Sequence, residues 1–401
     1  MSAITENKKG LTVLVTGSIM QMFLGILYIW SVFVSPVSEV YNWQIDGVKL
    51  TSSFMLCFFV FGILAGGKLH LKIGSDKVVL IGGLTLATGM LATAFLPQNT
   101  AWLMYITYGI LGGFGVGSGY NAIICAVQKW YPQKRGFVTG IVVCCFGFST
   151  VIFAPLIRFL INQFELRNTF LILAAVFFTA TMALFRFIRL PDESSPAASP
   201  SAALLAKRQY TVTEAIKTKE FYFITLSLMI ATATFFILNP SLITDGIARG
   251  LNIEIATLLV MLTGVANAAG RLVIPIVSDK IGREMASFSV ILVTAICALL
   301  LCFVQGFAFI AVVLLVAFCF GGLPGLYSVY ASDYFGIKYA GANYGAIMMG
   351  FAVSALTFPM LIGLINNETM KFITLAGMGL VGLLLIILLM KSKKKREQAS
   401  A

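Results

Sequence analysis

Long apolar stretches recur along the whole chain, and the charged residues collect in the short segments between them. Each stretch has about 18 residues or more, which is enough to cross a hydrocarbon core of about 30 Å as a helix. The pattern predicts twelve membrane-spanning helices, at about 11–34, 48–67, 78–97, 102–128, 137–160, 168–185, 221–243, 256–277, 286–304, 308–331, 344–365 and 370–390. The expected fold class is therefore an all-α integral membrane protein.

Composition narrows the class of function. Of the 401 residues, 59% are hydrophobic and only 11% are charged, whereas a soluble domain has roughly 25% charged residues. Twelve spans leave no room for a large soluble catalytic domain, so we expect no enzymatic activity, no cofactor and no metal. The glycines from Gly112 to Gly119 lie inside an apolar span rather than after a strand, which favours close helix packing over a dinucleotide-binding loop. The seven cysteines also lie in apolar spans and show no metal-ligand spacing.

The basic residues predict the orientation in the membrane. The formal net charge is +12, and nearly all of the 28 Lys and Arg residues fall on one side if both termini are cytoplasmic. The exceptions on the outer side are Lys49, Arg158, Arg167, Arg249 and Lys371. We therefore expect a multi-pass protein of the cell membrane whose basic face meets anionic lipid headgroups. Nucleic acid is not an expected partner, because the positive charge is spread over short loops and a tail.

A polar segment divides the spans six and six. It runs from about 190 to 219 and contains several prolines and serines, which is typical of a linker. The predicted organisation is an N-terminal six-helix bundle at 1–189, a cytoplasmic linker at 190–219, a C-terminal six-helix bundle at 220–391 and a basic cytoplasmic tail at 392–401.

The two halves repeat each other at two cytoplasmic turns. Gly67–Gly74 (GKLHLKIG) follows span two, and Pro275–Gly282 (PIVSDKIG) follows span eight, 208 residues later. Tyr131–Gly136 (YPQKRG) and Gly336–Gly341 (GIKYAG) recur at an offset of 205. Agreement between two separate turns favours two parallel six-helix repeats, an arrangement that places a substrate site near the midplane between the halves.

Several short segments together carry a family resemblance. They are Gly25–Trp30 (GILYIW), Gly113–Tyr120 (GFGVGSGY), Trp130–Gly136 (WYPQKRG), Gly270–Arg271, Ser278–Arg283 (SDKIGR) and Ala342–Gly345 (ANYG). Gly67–Gly74 and Pro275–Gly282 are each a version of the loop signature of the major facilitator superfamily. Together with these two loop signatures, the segments resemble the oxalate/formate antiporter branch of that superfamily, which is related to the monocarboxylate transporters. The pattern is most similar to bacterial members of the pyruvate or lactate type. The resemblance implies the major facilitator fold, with two pseudo-symmetric six-helix bundles, and transport of small organic anions by alternating access.

One loop signature departs from the superfamily pattern. The first-half loop has Leu71 where an acidic residue is usual, with His70 beside it, whereas Asp279 keeps the acid in the second half. Asp279 and His70 are therefore candidates for gating or coupling.

Arg271 is the only basic residue well inside a predicted span, since Lys49, Arg158 and Lys371 lie within three residues of the outer ends of theirs. Burying a guanidinium there costs about 2.5–3.5 kcal/mol on insertion scales, and no acidic residue of the sequence lies in a span to offset this cost. A planar guanidinium suits a carboxylate ligand, so we predict that Arg271 binds an organic anion. Asn267, four residues earlier on the same helical face, can orient the guanidinium or donate to the substrate. The alternative is an Arg271 side chain that extends to the interface towards Asp279.

The resemblance implies six further residues beside the substrate: Leu27, Tyr28, Tyr120, Phe320, Tyr327 and Phe351. Oxalate-type members have a second cation, Lys, at the position of Phe351 and Gln at that of Leu27. With Arg271 alone, a dianion would bury its second carboxylate without an opposite charge, which is costly. The predicted substrate is therefore a monocarboxylate such as pyruvate or lactate.

The sequence leaves the mode of coupling open. Proton symport would use Asp245, His70 or a proton carried with the substrate at Arg271, whereas anion exchange needs none of these. The expected partners are thus a small monocarboxylate, protons as a candidate co-substrate and membrane lipid, and the protein is expected to be a monomer. Two alternatives are an oxalate or formate exchanger of the same architecture and a membrane nutrient sensor for organic anions.

Overall fold

The chain is helical throughout the part that the structure describes. The structure, a computed structural model, describes residues 2–191, 209–365 and 367–400, without the side chains of residues 2–7, Tyr28, Asp46, Pro240, 395–397 and 399–400. Within these ranges, eleven helical stretches are long and apolar enough to cross a membrane. The longest, Arg135–Phe187, covers predicted spans five and six, and its helical geometry breaks at Glu165 (φ 63°, ψ 168°). The predicted twelve spans are thereby accounted for.

The chain separates into two compact units. Unit 1 comprises Met1–Thr211 and Tyr334–Gly345, and unit 2 comprises Val212–Asp333 and Ala346–Ala401. Most of the predicted linker lies outside the described residues, at 192–208.

Unit 1 contains the first six predicted spans. Its helices are α1 (Ser2–Leu24), α2 (Trp30–Tyr41), α3 (Ile45–Ile73), α4 (Ser75–Ala94), α5 (Gly113–Trp130) and α6 (Arg135–Leu184). A 3-10 helix, Gly25–Tyr28, joins α1 to α2, and a 3-10 helix, Gln98–Leu103, and a π-helix, Tyr105–Gly112, precede α5. A short 3-10 turn, Phe185–Phe187, follows α6.

Unit 2 contains the other six predicted spans. Its helices are α7 (Val212–Ala215), α8 (Lys219–Leu238), α9 (Leu242–Ala248), α10 (Ile253–Ile281), α11 (Arg283–Leu300), α12 (Gly306–Phe335), α13 (Ala340–Gly363) and α14 (Glu368–Ser400). A 3-10 turn, Asn239–Ser241, separates α8 from α9. The last two residues of α12 and the first six of α13 group with unit 1.

The internal repeat is visible in the backbone of the two units. Helices α3 and α10 each have 29 residues and end at Gly74 and Gly282. These glycines adopt nearly the same left-handed conformation, φ 91°, ψ 156° for Gly74 and φ 89°, ψ 153° for Gly282. A residue with a Cβ rarely adopts a positive φ, which explains glycine at both ends. The two loop signatures therefore form the same local structure.

A segment from the second half of the sequence packs with the first unit. Tyr334–Gly345 begins at the end of α12 and runs into α13, and Asn121 Nδ2 of α5 donates to the carbonyl oxygen of Gly341 at 2.8 Å. The backbone N–H of Tyr210 donates to Phe335 O at 2.9 Å, and Asn343 Nδ2 donates to Tyr210 O at 2.9 Å. These bonds tie the chain beyond residue 208 to the same segment.

Candidate substrate-binding residues

Arg271 lies in the buried part of α10. It is 2% exposed, and its neighbours Ala268, Gly270 and Ile274 are also buried. Its Nε–H donates to Asn267 Oδ1 at 2.7 Å, across one turn of the helix. Since Nε lies in the plane of the guanidinium, this hydrogen bond restrains the plane of the whole group. The i, i+4 contact that the spacing predicted is therefore present.

Close packing between α10 and α12 holds the Arg271 turn in place. A Cβ atom on Gly270 would overlap the carbonyl oxygen of Phe318, and one on Gly321 would overlap the carbonyl oxygen of Asn267. The two backbones can approach this closely only because both positions are glycine. The crossing therefore fixes the positions of Asn267 and Arg271 along the length of α12.

Phe320 and Phe351 meet in unit 2. Their ring centroids are 5.9 Å apart and the rings are tilted by 33°. Both residues are buried, at 5% and 4% exposure. Phe320 lies on α12 next to Gly321, the residue that contacts Asn267. The structure thus places the two aromatic candidates together, beside the packing contact that supports Arg271.

Tyr327 lies on α12 about two turns beyond Phe320 and is fully buried. Its hydroxyl is 2.9 Å from Ser227 Oγ on α8, and Ser227 also donates to its own backbone at Ile224 O. Ser227 is not among the residues predicted from the sequence. A hydroxyl among the apolar residues of a span is a weak signal, because Ser and Thr commonly bond to their own helix.

Leu27 and Tyr28 of unit 1 lie where the first span is interrupted. The backbone of Gly25–Tyr28 forms a 3-10 turn, and Ile29 separates this turn from α2. A Cβ atom on Gly25 would overlap the carbonyl oxygen of Phe146 on α6, so the break coincides with a close helix contact. Leu27 is buried at 3% exposure, while the side chain of Tyr28 lies outside the described part. Broken helices in transporters expose backbone groups at binding sites. The span predicted at 11–34 was continuous and did not include this break.

Tyr120 packs in unit 1 among aromatic side chains. Its ring centroid lies 5.4 Å from that of Phe59 and 4.9 Å from that of Phe146, and the residue is 1% exposed. Gln21 Nε2 of α1 donates to the backbone oxygen of Tyr120 at 3.1 Å. Gln21 is fully buried and was also missed from the sequence.

His70 and Asp279 occupy different environments at the ends of α3 and α10. His70 is 1% exposed, and neither ring nitrogen has a hydrogen-bond partner among the described residues. Asp279 forms an ion pair with Arg283, which also pairs through Nε with Asp333 Oδ2 at 3.0 Å. The second-half signature therefore forms a charged cluster, whereas the first-half signature places a buried imidazole at the corresponding turn.

Asp245 lies on α9, beyond the 3-10 turn that ends α8. Burial raises the pKa of the Asp245 carboxyl, and a 2.6 Å hydrogen bond from Ser241 Oγ opposes this shift. Glu368 raises the pKa further, while Arg249 and Lys371 lower it. The carboxyl therefore retains a proton more readily than an exposed aspartate does.

The chain matches a known protein family. The family model of the Major Facilitator Superfamily matches residues 13–359 and 224–401. The uncharacterized MFS-type transporter YhjX of Escherichia coli (strain K12) is 26% identical over 84% of this chain and 84% of its own length. The oxalate:formate antiporter of Oxalobacter formigenes is 23% identical over 84% of this chain and 80% of its own length.

A shorter match and a solved structure agree with this family. Monocarboxylate transporter 13 of Rattus norvegicus is 27% identical over 43% of this chain and 41% of its own length. Among solved structures, the major facilitator transporter FucP in the outward conformation superposes with a TM-score of 0.71 at 13% identity, over 95% of this chain and 99% of that chain. The family model and the fold agree with the resemblance inferred from the short segments. The chain belongs to the major facilitator superfamily of membrane transporters.

Proposed function

We propose that the protein is a secondary active transporter of small monocarboxylates of the pyruvate or lactate class. It works by alternating access of its two six-helix halves, and Arg271 binds the carboxylate. The single observation that carries this proposal is the buried guanidinium in α10, oriented by Asn267 at 2.7 Å. A charged residue at such a depth is expensive and marks a functional site in membrane proteins.

The chemistry of Arg271 favours a carboxylate over other ligands. A guanidinium offers two parallel N–H groups that match the two oxygens of a carboxylate, and a charge-assisted pair of this kind is about twice as strong as a neutral hydrogen bond. Asn267 restrains the guanidinium through Nε, so less entropy is lost when the anion binds. Arg271 therefore favours substrates that carry a negative charge.

The aromatic residues favour a monoanion. Phe351, where oxalate-type relatives of the branch have Lys, packs 5.9 Å from Phe320 and presents only hydrocarbon. A second carboxylate placed against these rings would be desolvated without an opposite charge. A short apolar end such as the methyl group of pyruvate or lactate has no such cost. Phe320 and Phe351 therefore select a small, singly charged substrate.

Coupling to protons has two candidate groups outside the Arg271 turn. Asp245 has a raised pKa and lies outside the membrane-spanning helices, and His70 is a buried titratable side chain in α3. Symport through either group predicts uptake that rises with an inward proton gradient. Exchange of one anion for another predicts no such dependence.

Oxalate and formate exchange is a second candidate function. It is favoured by the oxalate:formate antiporter of Oxalobacter formigenes, which aligns with 84% of this chain. Phe351 distinguishes the candidates, because the proposed monocarboxylate site has one cation and a dianion site needs two.

The purified protein in liposomes separates these functions. We expect uptake and counterflow of labelled pyruvate and lactate, with oxalate a poor substrate, measured with and without a pH gradient. Strong oxalate exchange without pyruvate uptake would replace the first proposal by the second. Binding of these anions without flux of any of them would point to a sensor.

A further inference from the structure

Two phenylalanines near the end of α8 surround the aromatic pair described above. Phe235 stacks on Phe320, with centroids 4.0 Å apart and an angle of 15° between the rings. Phe236 meets Phe351 edge to face at 5.0 Å and 77°, and meets Phe320 in the same way at 5.4 Å and 75°. The four rings, Phe235, Phe236, Phe320 and Phe351, form one cluster that we call the aromatic box.

The aromatic box is tied to the Arg271 turn through the backbone. Phe320 is adjacent to Gly321, where a Cβ atom would overlap the carbonyl oxygen of Asn267. Asn267 in turn holds Arg271 Nε at 2.7 Å. The crossing of α10 and α12 therefore sets the spacing between the guanidinium and the aromatic box. This spacing determines where the other end of a substrate lies when Arg271 holds its carboxylate.

Phe236 contacts both Phe320 and Phe351 within the aromatic box. It is the ring that makes edge-to-face contacts with both Phe320 and Phe351, whereas Phe235 stacks on Phe320. Aromatic rings prefer edge-to-face or offset contacts, so both neighbours are held in defined orientations by one side chain. Phe236 is half-buried, in contrast to the buried Phe320 and Phe351.

We propose that Phe236 is a specificity-determining residue that sets the permitted length of the substrate chain behind its carboxylate. This inference rests on the proposed monocarboxylate transport. By holding Phe320 and Phe351 in place, Phe236 limits the apolar space to a short substrate chain. A smaller residue lets the two rings relax and admits longer chains, whereas a larger residue narrows the space.

Uptake of straight-chain 2-oxo acids with three, four and five carbons tests this role. The readout is the initial rate at low concentration for the five-carbon acid divided by that for pyruvate, measured in liposomes. We expect Phe236→Leu to raise this ratio by about tenfold, within the range that one or two methylenes produce in an apolar site. Phe236→Trp should lower the ratio, which gives a second measurement of opposite sign if the first variant folds poorly.

A matched control separates specificity from stability. Phe309 is a fully buried phenylalanine of α12 whose ring lies 4.9 Å from the Arg249 guanidinium carbon, outside the aromatic box. Phe309→Leu should lower thermal stability and leave the ratio unchanged. If the wild type carries pyruvate but neither Phe236 variant changes the ratio, the inference is overturned and the proposed function stands. If the wild type carries none of the acids, the proposed function fails, and the inference fails with it.

Discussion

Asn267 Oδ1 accepts a hydrogen bond of 2.7 Å from Arg271 Nε, and both residues lie on the same face of α10. The amide oxygen carries no formal charge, so it orients the guanidinium without neutralising it. The geometry of the buried guanidinium is therefore set in part by Asn267.

Replacing Arg271 by Lys tests whether the planar guanidinium matters. The ammonium of Lys keeps the charge but cannot form two parallel bonds with a carboxylate. We expect Arg271→Lys to fold and to lose most pyruvate uptake, at least about tenfold. Melting temperature and yield after gel filtration check the fold. Near-normal uptake by a well-folded variant would remove Arg271 from the site.

Replacing Asn267 by Ala tests the orientation of Arg271. A hydrogen bond to a charged group contributes about 1.5–3 kcal/mol, so the half-saturation concentration for pyruvate should rise by about tenfold or more. Thr263→Ala is the control, because Thr263 lies one turn earlier on α10 and its hydroxyl bonds only to its own helix at Val260 O in the described contacts. Equal half-saturation concentrations in the two variants would show that other contacts orient the guanidinium.

Replacing Phe351 by Lys tests the selection of a monoanion. A second cation near the substrate should strengthen competition by oxalate relative to lactate, because it offsets the desolvation of the second carboxylate. Phe351→Met controls for the loss of the ring without adding charge. The measurement is the ratio of inhibition constants for the two anions. The same ratio in the Lys and Met variants would mean that Phe351 does not face the substrate.

Two glycines of α10 form a matched pair for the packing argument. A Cβ atom on Gly270 would overlap the Phe318 carbonyl, whereas one on Gly264 meets nothing within 4 Å. Gly270→Ala should therefore destabilise the protein by about 1–3 kcal/mol through overpacking. Gly264→Ala should be neutral or stabilising, because alanine favours a helix over glycine by up to about 1 kcal/mol. Thermal melting in detergent compares them, and equal melting temperatures would contradict the close contact of α10 with α12.

The raised pKa of Asp245 predicts a pH-dependent stability. Burial disfavours the carboxylate, so the folded state binds the proton more tightly than the unfolded state does. The stabilisation from the protonated group is complete below the ordinary aspartate pKa of about 4 and is lost as the pH rises through the raised value.

Asp245→Asn removes this titration while keeping an acceptor for Ser241. Its melting temperature, relative to that of the wild type, should be higher at pH 8 than at pH 4. Parallel melting curves across this range would show that Asp245 does not contribute. The same variant tests coupling, because proton-driven uptake through Asp245 would lose its dependence on the pH gradient.

Much of the fold was predictable because the membrane imposes simple rules. An apolar stretch must close its backbone hydrogen bonds within itself, so hydropathy alone located the spans. The glycines that end the two loop signatures, Gly74 and Gly282, were recognisable from spacing, and both adopt a positive φ in the structure. The contact of Asn267 with Arg271 followed from helical periodicity, since residues four apart share a face.

The aromatic box was not predicted, although the sequence shows an interruption of α8 close to two of its members. Phe235 and Phe236 precede Asn239–Pro240, the point where α8 gives way to a 3-10 turn. Their contact with Phe320 and Phe351 joins residues about 85 and 115 positions apart along the chain. Such contacts depend on which helices cross and at what height, and hydropathy contains no information about either.

By itself, the sequence determined that this protein is a helical membrane protein with one basic residue, Arg271, well inside a span, because charge and hydropathy are local properties of the chain. Tertiary structure decided what surrounds that residue. The glycine contacts at Gly270 and Gly321 set the distance between α10 and α12, and the crossing with α8 and α13 brought four rings together. The physical reason is that packing depends on the matching of distant surfaces, and each of those surfaces is defined only once the helices have assembled.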